Sequence, residues 1–320
     1  MQVRLLGPVD VVLDGVPRPV PGLRRRAILA MLALRRGEVV STDRLIDTVW
    51  SDGAPSTLNT IQANVSHLRG VLGTRTAILA RAPGYVLAGA GEPTDVELAE
   101  QLIEQATGAA PATDQVRHLR TALALWRGPS LVDVAEVPWL DAQARRLDQL
   151  RLRARRALAE ARLALGEHDE LVPELHRLAE EYPYDEQIHG HLILALYRSG
   201  RPSEALETYQ RLRTGLADEL GVDPGPALRA LEAAILRHDP ELATPVPPVV
   251  VAPAPAAQVP AQLPAGVRGF AGRRAELAAL DALLGGTPGE GSAAIATLSG
   301  SAGVGKTSLA VHWARLAAEH

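Results

Sequence analysis

The sequence predicts a mainly α protein in three parts: an N-terminal α+β domain (residues 1–90), an all-α helical repeat domain (91–240) and a tail (241–320). Three observations support this prediction. The first third alternates short strand-like apolar stretches with helical ones. The middle consists of amphipathic helical stretches in which a pattern recurs after 34 residues. The tail combines a proline-rich linker with a glycine-rich loop.

Composition excludes several classes of protein. The chain has no cysteine, which excludes disulfides, cysteine-based zinc sites and thiol catalysis. No apolar run approaches the roughly 18–20 residues of a membrane helix, and the first residues lack the pattern of a signal peptide. We therefore expect a cytoplasmic protein with no membrane partner.

Charge is distributed unevenly along the chain. Residues 1–90 carry 11 Lys and Arg against 6 Asp and Glu, whereas residues 91–240 carry 17 against 26. A cationic domain attached to an acidic body is expected where one domain meets a polyanion such as nucleic acid. An excess of this size also occurs in ordinary domains, so charge alone does not decide between the two interpretations.

The order of elements in residues 1–90 predicts a winged helix-turn-helix. Short strands with a turn at Asp14 and Gly15 come first, followed by three helices, of which the third ends near residue 72. A hairpin over residues 78–89, turning at 81–84, completes the domain. The candidate N-caps of the second and third helices are Ser41 or Thr42 and Ser56 or Thr57.

The third helix is the candidate nucleic-acid contact. A narrow apolar stripe predicts its buried side, and the opposite side carries small, amide or hydroxyl groups rather than salt-bridged charges. Asn and Gln can form two hydrogen bonds to adenine, and Arg can bind guanine or a phosphate. An ordinary solvated helix is the alternative, and a surface position is expected for His67 rather than a metal-binding role. The stripe is Ile61, Val65, Leu68 and Leu72, and the candidate DNA-binding residues are Asn59, Thr60, Gln62, Ala63, Ser66, His67, Arg69, Arg75 and Arg81.

The run TLNTIQANVSHLRGVLG, followed by ILARAPGYVLAG, resembles the OmpR-type winged helix of the SARP (antibiotic regulatory protein) transcriptional activators. The resemblance implies a third helix in the major groove, a hairpin wing on the minor groove, and binding to direct repeats upstream of promoters. One departure is Gly70, which stands after Arg69 where such helices often carry a second arginine. The missing side chain removes one phosphate or base contact.

The middle of the chain predicts tetratricopeptide-like helix pairs. Gly166 and Gly200 are 34 residues apart, and Ala161 and Ala195 keep the same offset. Such pairs stack into a concave surface that holds a partner, although a helical bundle without a groove remains the alternative. The stretches ALALWRGPSLVDV and LADELGVDPGPAL resemble the bacterial transcriptional activator domain that follows the winged helix in SARP proteins. That resemblance implies a homodimer on DNA and contacts with RNA polymerase.

The tail predicts a phosphate-binding loop without the rest of its domain. Residues 241–266 form a Pro/Ala-rich linker, and residues 267–320 begin a P-loop unit whose strand we expect at 293–298. Only 14 residues follow the one lysine of the chain, so the acidic strand end and the water-orienting groups of an NTPase cannot follow. We therefore expect no catalytic residues and no metal site, and a nucleotide site that is weak or latent. Its residues are Gly300, Gly303, Gly305, Lys306 and Thr307.

The stretch FAGRRAEL and the glycine-rich loop resemble the entry to an NB-ARC/STAND ATPase module, as in AfsR-type multidomain SARP regulators. The resemblance implies that this chain is an N-terminal portion of such a regulator, in which ATP and Mg²⁺ would act only in a longer parent. We expect a sequence-specific activator of an antibiotic biosynthetic gene cluster that needs no cofactor to bind double-stranded DNA and is not an enzyme. A nucleotide-dependent switch and a repeat scaffold that binds protein are the alternatives.

Overall fold

The computed structural model describes residues 1–50, 58–88, 92–108, 111–242, 263–264, 269–284 and 296–318. The chain divides into two compact units, Met1–Pro247 and Pro248–His320. None of the helices in these described stretches is long and apolar enough to span a bilayer.

The N-terminal domain has the predicted order of strands, three helices and a hairpin. The elements are β1 (Gln2–Arg4), β2 (Asp10–Leu13), β3 (Val16–Pro19), α1 (Leu23–Ala33), β4 (Val40–Ser41), α2 (Thr42–Val49), α3 (Leu58–Val71), β5 (Ile78–Arg81) and β6 (Gly84–Leu87). The first sheet is antiparallel with the order β1-β2-β3, and the second has the order β4-β6-β5. The two-residue strand β4, which pairs with β6, was not predicted from the sequence. The winged helix-turn-helix prediction is confirmed.

Local signals place the helices of this domain. Ser41 caps α2, because its Oγ accepts a hydrogen bond from the Arg44 backbone N–H at 3.2 Å. The predicted caps of α3, Ser56 and Thr57, lie outside the described residues. Burial fixes the rotation of α3, whose apolar stripe is at most 1% exposed: Ile61, Val65, Leu68 and Leu72.

In the helical domain, successive helices along the chain pack against one another. Its helices are α4 (Asp95–Thr107), α5 (Ala112–Leu123), α6 (Pro138–Ala164), α7 (His168–Glu181), α8 (Glu186–Arg198), α9 (Pro202–Gly215) and α10 (Pro226–Leu236). Gly166 lies between α6 and α7, and Gly200 between α8 and α9, with φ of 84° and 72°. This left-handed conformation ends a helix most easily at glycine. The 34-residue spacing therefore marks two equivalent helix turns, and Ala161 and Ala195 are buried at equivalent positions.

The N-terminal and helical domains share one hydrophobic core. The cluster that contains α1 and α3 continues into α4, α6 and the segment between α5 and α6, where Trp126 and Leu131 are buried. The backbone of residues 5–9 is bonded into the helical domain through the carboxylates of Asp95 and Asp133. Asp95, 1% exposed, accepts from the N–H groups of Leu5 and Leu6 at 2.7–2.9 Å. Burial raises the pKa of the Asp95 carboxyl, and these two N–H donors and the charge of nearby Arg127 lower it in part.

Replacing Asp95 should loosen this junction. In Asp95→Ala the buried N–H groups of Leu5 and Leu6 lose their acceptor, which should lower the free energy of unfolding by about 2–4 kcal/mol. Urea denaturation followed by circular dichroism measures the change. Asp114→Ala is the matched control, because Asp114 forms an accessible ion pair with Arg117 within one helix and should change stability by less than about 1 kcal/mol. Equal effects of the two substitutions would contradict the role given to Asp95.

Two histidines of α8 should make the helical domain sensitive to acid. Burial lowers the pKa of His189 and of His191 below the ordinary value. The unfolded state then takes up protons before the folded state does. The stability contributed by the neutral rings is present above about pH 6.5 and is lost as the pH falls from there towards the folded-state pKa. Denaturation midpoints measured from about pH 7.5 to pH 5 should fall, and the double variant His189→Gln/His191→Gln should show a shallower fall. An unchanged slope in that variant would contradict the assignment.

The described residues of the second unit form two helices, α11 (Arg274–Leu284) and α12 (Lys306–Ala318). Trp313 Nε1 donates to Asp281 Oδ1 at 2.9 Å, which ties the two helices together. Most of the predicted linker lies outside the described residues. The strand predicted at 293–298 is not formed over residues 296–298, and residues 293–295 lie outside the description. The physical reason is that a strand needs a neighbouring strand for its hydrogen bonds, and the described residues of this unit form none.

Candidate nucleic-acid interface

The outward side of α3 carries the side chains that the sequence singled out. Asn59, Gln62, Ala63, Ser66 and His67 are exposed, while Thr60 is half-buried and its carbonyl accepts from Asn64 Nδ2 at 2.8 Å. No Asp or Glu occurs between Leu58 and Leu72. This face therefore presents amides, hydroxyls and small side chains, and no negative charge that would repel phosphates.

The shape of this side of α3 permits close approach to a groove. Ala63 adds only a methyl group, and nothing lies within 4 Å of where a Cβ would stand on Gly70. The major groove of B-DNA is about 12 Å wide and admits an α-helix when its facing side chains are short. The exposed amides of Asn59 and Gln62 have the donor and acceptor pair that adenine requires.

Arg69 has a different environment from the other candidates. Its Nε and Nη2 donate to the carbonyl oxygen of Ile78 at 2.9 and 2.7 Å, so the guanidinium is bonded to the first residue of β5. The sequence pattern predicts Arg69 as a DNA contact at the flank of the outward face. The structure places its half-buried side chain against the wing hairpin (Ile78–Leu87), and its contact with DNA stays a prediction.

The two other candidate arginines lie beside the wing hairpin and at its turn. Arg75 is exposed in the connection between α3 and β5, and Arg81 is exposed at the end of β5, where the hairpin turns. Within the described residues neither has an ion-pair partner. Both guanidinium groups are thus available to neutralise phosphates or to enter a minor groove.

Two residues that sequence reasoning did not assign hold the tip of the wing. The Thr42 backbone N–H and its Oγ1 both donate to the Pro83 carbonyl, at 3.1 and 3.2 Å. Gly84 pairs with Ser41 across β4 and β6, and a Cβ there would overlap the Val40 carbonyl and lie 2.7 Å from Ser41 Cα. The glycine directly after Pro83 was a signal for this close approach, whereas nothing local indicated the role of Thr42.

Substituting Gly84 should detach the wing from α2. In Gly84→Ala the added methyl group forces β4 away from β6, which should lower the free energy of unfolding by about 1–3 kcal/mol. Chemical denaturation measures this loss. Gly70→Ala is the control, since its Cβ meets open space on a helix and should leave stability equal or raise it by up to about 1 kcal/mol. A Gly84→Ala protein as stable as the parent would show that β4 does not hold the wing.

The glycine-rich loop has the local geometry of a phosphate cradle. Gly303 and Gly305 have φ of 81° and 85°, and α12 begins at Lys306. Lys306 Nζ donates to the carbonyls of Gly300 and Ser301 at 2.7 and 2.8 Å, so the ammonium is bonded to its own loop. Thr307 is exposed in the first turn of α12. The described residues contain no group of three His, Asp or Glu side chains that could hold a metal ion.

Comparison with known proteins matches both domains of the first unit. The family described as "Transcriptional regulatory protein, C terminal" matches residues 22–87, and the family described as "Bacterial transcriptional activator domain" matches residues 94–236. Regulatory protein DnrI of Streptomyces peucetius is 34% identical over 254 residues, which are 75% of this chain and 93% of DnrI. Regulatory protein AfsR of Streptomyces griseus is 40% identical over 331 residues, which cover 100% of this chain and 33% of AfsR.

A solved structure agrees with these matches. The structure of Mycobacterium tuberculosis EmbR in complex with a low affinity phosphopeptide superimposes with a TM-score of 0.69 at 38% identity, over 75% of this chain and 65% of that one. The chain thus spans about a third of the length of AfsR and about two thirds of the EmbR structure.

An OmpR-type winged helix joined to a bacterial transcriptional activator domain defines a class of transcriptional regulators. The chain belongs to the SARP family of transcriptional activators within that class.

Proposed function

We propose that this chain is a sequence-specific DNA-binding activator of transcription that acts on promoter direct repeats, as part of a regulator of an antibiotic biosynthetic gene cluster. One observation carries the proposal: an outward helix face without carboxylates and a wing with exposed arginines belong to one domain with a shared hydrophobic core. The names of relatives such as DnrI and AfsR support the regulatory role.

In this proposal α3 enters the major groove. Asn59 and Gln62 would contact base edges, with Ser66 and His67 beside them, and Ala63 would allow the backbone to approach. Arg75 and Arg81 would contact phosphates or the adjacent minor groove. DNA binding in this arrangement uses only side chains of the chain itself and needs no cofactor.

The helical domain would supply the activating contacts. Its acidic charge, 26 Asp and Glu against 17 Lys and Arg over residues 91–240, is unsuited to binding DNA and suits contact with a protein. We propose RNA polymerase as that partner and a homodimer on the two copies of a direct repeat. In the cell the protein would then be found on the nucleoid.

Loss of Arg75 or Arg81 should weaken DNA binding, and the size of the loss should depend on the salt concentration. Arg75→Ala and Arg81→Ala should each lower affinity for a duplex selected by the parent chain, and each should reduce the slope of log K against log salt by about 0.9. Fluorescence anisotropy at several salt concentrations measures both quantities. Arg117→Ala is the control, because Arg117 pairs with Asp114 on α5 of the helical domain and should change neither. Salt slopes equal to that of the parent would show that neither arginine contacts a phosphate, which would contradict their place in the interface.

We also propose that the glycine-rich loop is a latent nucleotide site. The positive φ values of its glycines and the position of Lys306 support this proposal. A nucleotide phosphate would have to take the Lys306 ammonium from the Gly300 and Ser301 carbonyls, so affinity of this chain for ATP and Mg²⁺ should be weak. Calorimetry should show that weak binding lost in Lys306→Ala, with DNA binding the same whether or not ATP is present. DNA binding that depends on ATP in the parent and not in Lys306→Ala would favour the nucleotide-dependent switch instead.

A further inference from the structure

We propose that Arg69 is a positioning residue that fixes the wing relative to α3, and that it does not itself bind DNA. This inference rests on the proposed function, because it concerns how one domain would reach two grooves at once. It reassigns the arginine that the sequence pattern grouped with the DNA contacts.

The Arg69 guanidinium is already hydrogen-bonded within the domain. Both donors on one edge of the planar group, Nε and Nη2, are bonded to the same acceptor, the Ile78 carbonyl. Hydrogen bonds with a charged donor are roughly twice as strong as neutral ones. The edge used here is one that could otherwise bind phosphate or guanine bidentately, so a DNA contact through it would require breaking both bonds.

The acceptor, the Ile78 carbonyl, lies on the open edge of the sheet. β5 is an edge strand, since the sheet order is β4-β6-β5. The Ala77 carbonyl accepts from Ala88 N–H at 2.8 Å, and antiparallel ladders alternate, so the next carbonyl, that of Ile78, faces away from β6. A carbonyl on an open edge needs a partner from outside the sheet. Arg69 supplies that partner, which makes α3 the neighbour of the outer edge of β5.

The hairpin is attached to the helices at both of its ends. Thr42, at the start of α2, binds the Pro83 carbonyl at the tip, and Arg69, near the end of α3, binds the Ile78 carbonyl at the base. A strand rises about 3.4 Å per residue, so the two attachments are separated by several ångströms along β5. Two attachment points leave rotation about the line that joins them, and the pairing of β4 with β6 and the hydrogen bond from Gly37 N–H to the Leu87 carbonyl oppose that rotation. The wing, including Arg81, is therefore fixed relative to the helix-turn-helix.

This fixation has a consequence for sequence recognition. A helix in the major groove and a wing in the neighbouring minor groove must keep a constant spacing to read the same DNA positions together. Without Arg69 the outer edge of β5 would lose its hydrogen bonds to α3, while the buried side chains of Ile78 and Leu87 would still hold the base of the hairpin in the core. The wing would then shift relative to α3, so the minor-groove positions would lose discrimination while the positions under α3 would keep theirs. Gly70 has no side chain that could replace the lost bonds.

The test compares Arg69→Lys with Arg69→Ala on duplexes that the parent chain selects from a randomised pool. Lysine keeps the positive charge, so a phosphate contact would survive, but one ammonium cannot reproduce the two fixed donors of the guanidinium. Positioning predicts that both variants lose affinity about tenfold, with discrimination lost at the wing positions and kept under α3. Parent-like binding by Arg69→Lys, with affinity and salt slope reduced only in Arg69→Ala, would overturn the proposal, as would parent-like binding by both.

A measurement on the parent chain covers the case in which the variants do not fold. The Arg69 Nε–H proton should give a protected resonance in the free protein, and it should keep its chemical shift when the selected duplex is added. Loss of protection or a large shift on adding DNA would show that the guanidinium leaves Ile78 and would overturn the proposal. If the parent selects no duplex from the pool, the proposed function fails, which is a separate result.

Discussion

The burial of one narrow side of α3 is the constraint on which the candidate interface depends. At about 100° per residue, placing Ile61, Val65 and Leu68 in the core determines which side chains face outward. The outward set is polar, small and free of carboxylates, and no residue in it is needed for packing. The core therefore holds the helix at a fixed rotation and leaves its outward face available for recognition.

A second constraint makes the two domains of the first unit move together. The Asp95 carboxylate accepts two backbone N–H groups of the N-terminal segment, and Asp133 accepts a third from Val9. Arg127 adds an ion pair to Asp10 at 3.1 Å, and the hydrophobic core is continuous across the junction. A cationic domain and an acidic domain are thus held in one orientation. If α3 is seated on DNA, the position of the helical domain is set as well.

Features with local signals were predictable from the sequence. Ser41 as a cap, the apolar stripe of α3 and the helix-ending glycines 34 residues apart each depend on residues within a turn or on a periodic pattern. The helical pattern placed Arg69 at the edge of the outward face of α3. From that edge an arginine side chain can extend either towards a groove or towards the wing hairpin, so the pattern could not decide between the two. Arg69 binds a carbonyl nine residues away, and that choice depends on the path of β5.

Contacts between distant segments were not predictable in the same way. Thr42 binds Pro83 from 41 residues away, and Asp95 binds Leu5 from 90 residues away. For neither residue do the neighbouring residues in the sequence indicate the contact. From the sequence, Asp95 has the pattern of an ordinary acidic residue in the first turn of α4. The strand expected at 293–298 is not formed over residues 296–298. There the local sequence favoured a strand, but a strand also requires a partner strand, which the local sequence cannot supply.

Chemical probing of a selected duplex tests the central claim most directly. Dimethyl sulfate methylates guanine N7 in the major groove and adenine N3 in the minor groove, so one footprint reports both surfaces of selected duplexes that carry guanines under α3 and adenines under the wing. The account predicts protection of a short major-groove segment together with an adjacent minor-groove segment at a constant spacing in every selected duplex, and loss of both in Ala63→Glu. Protection that is absent, or that survives a carboxylate in the centre of α3, would contradict it.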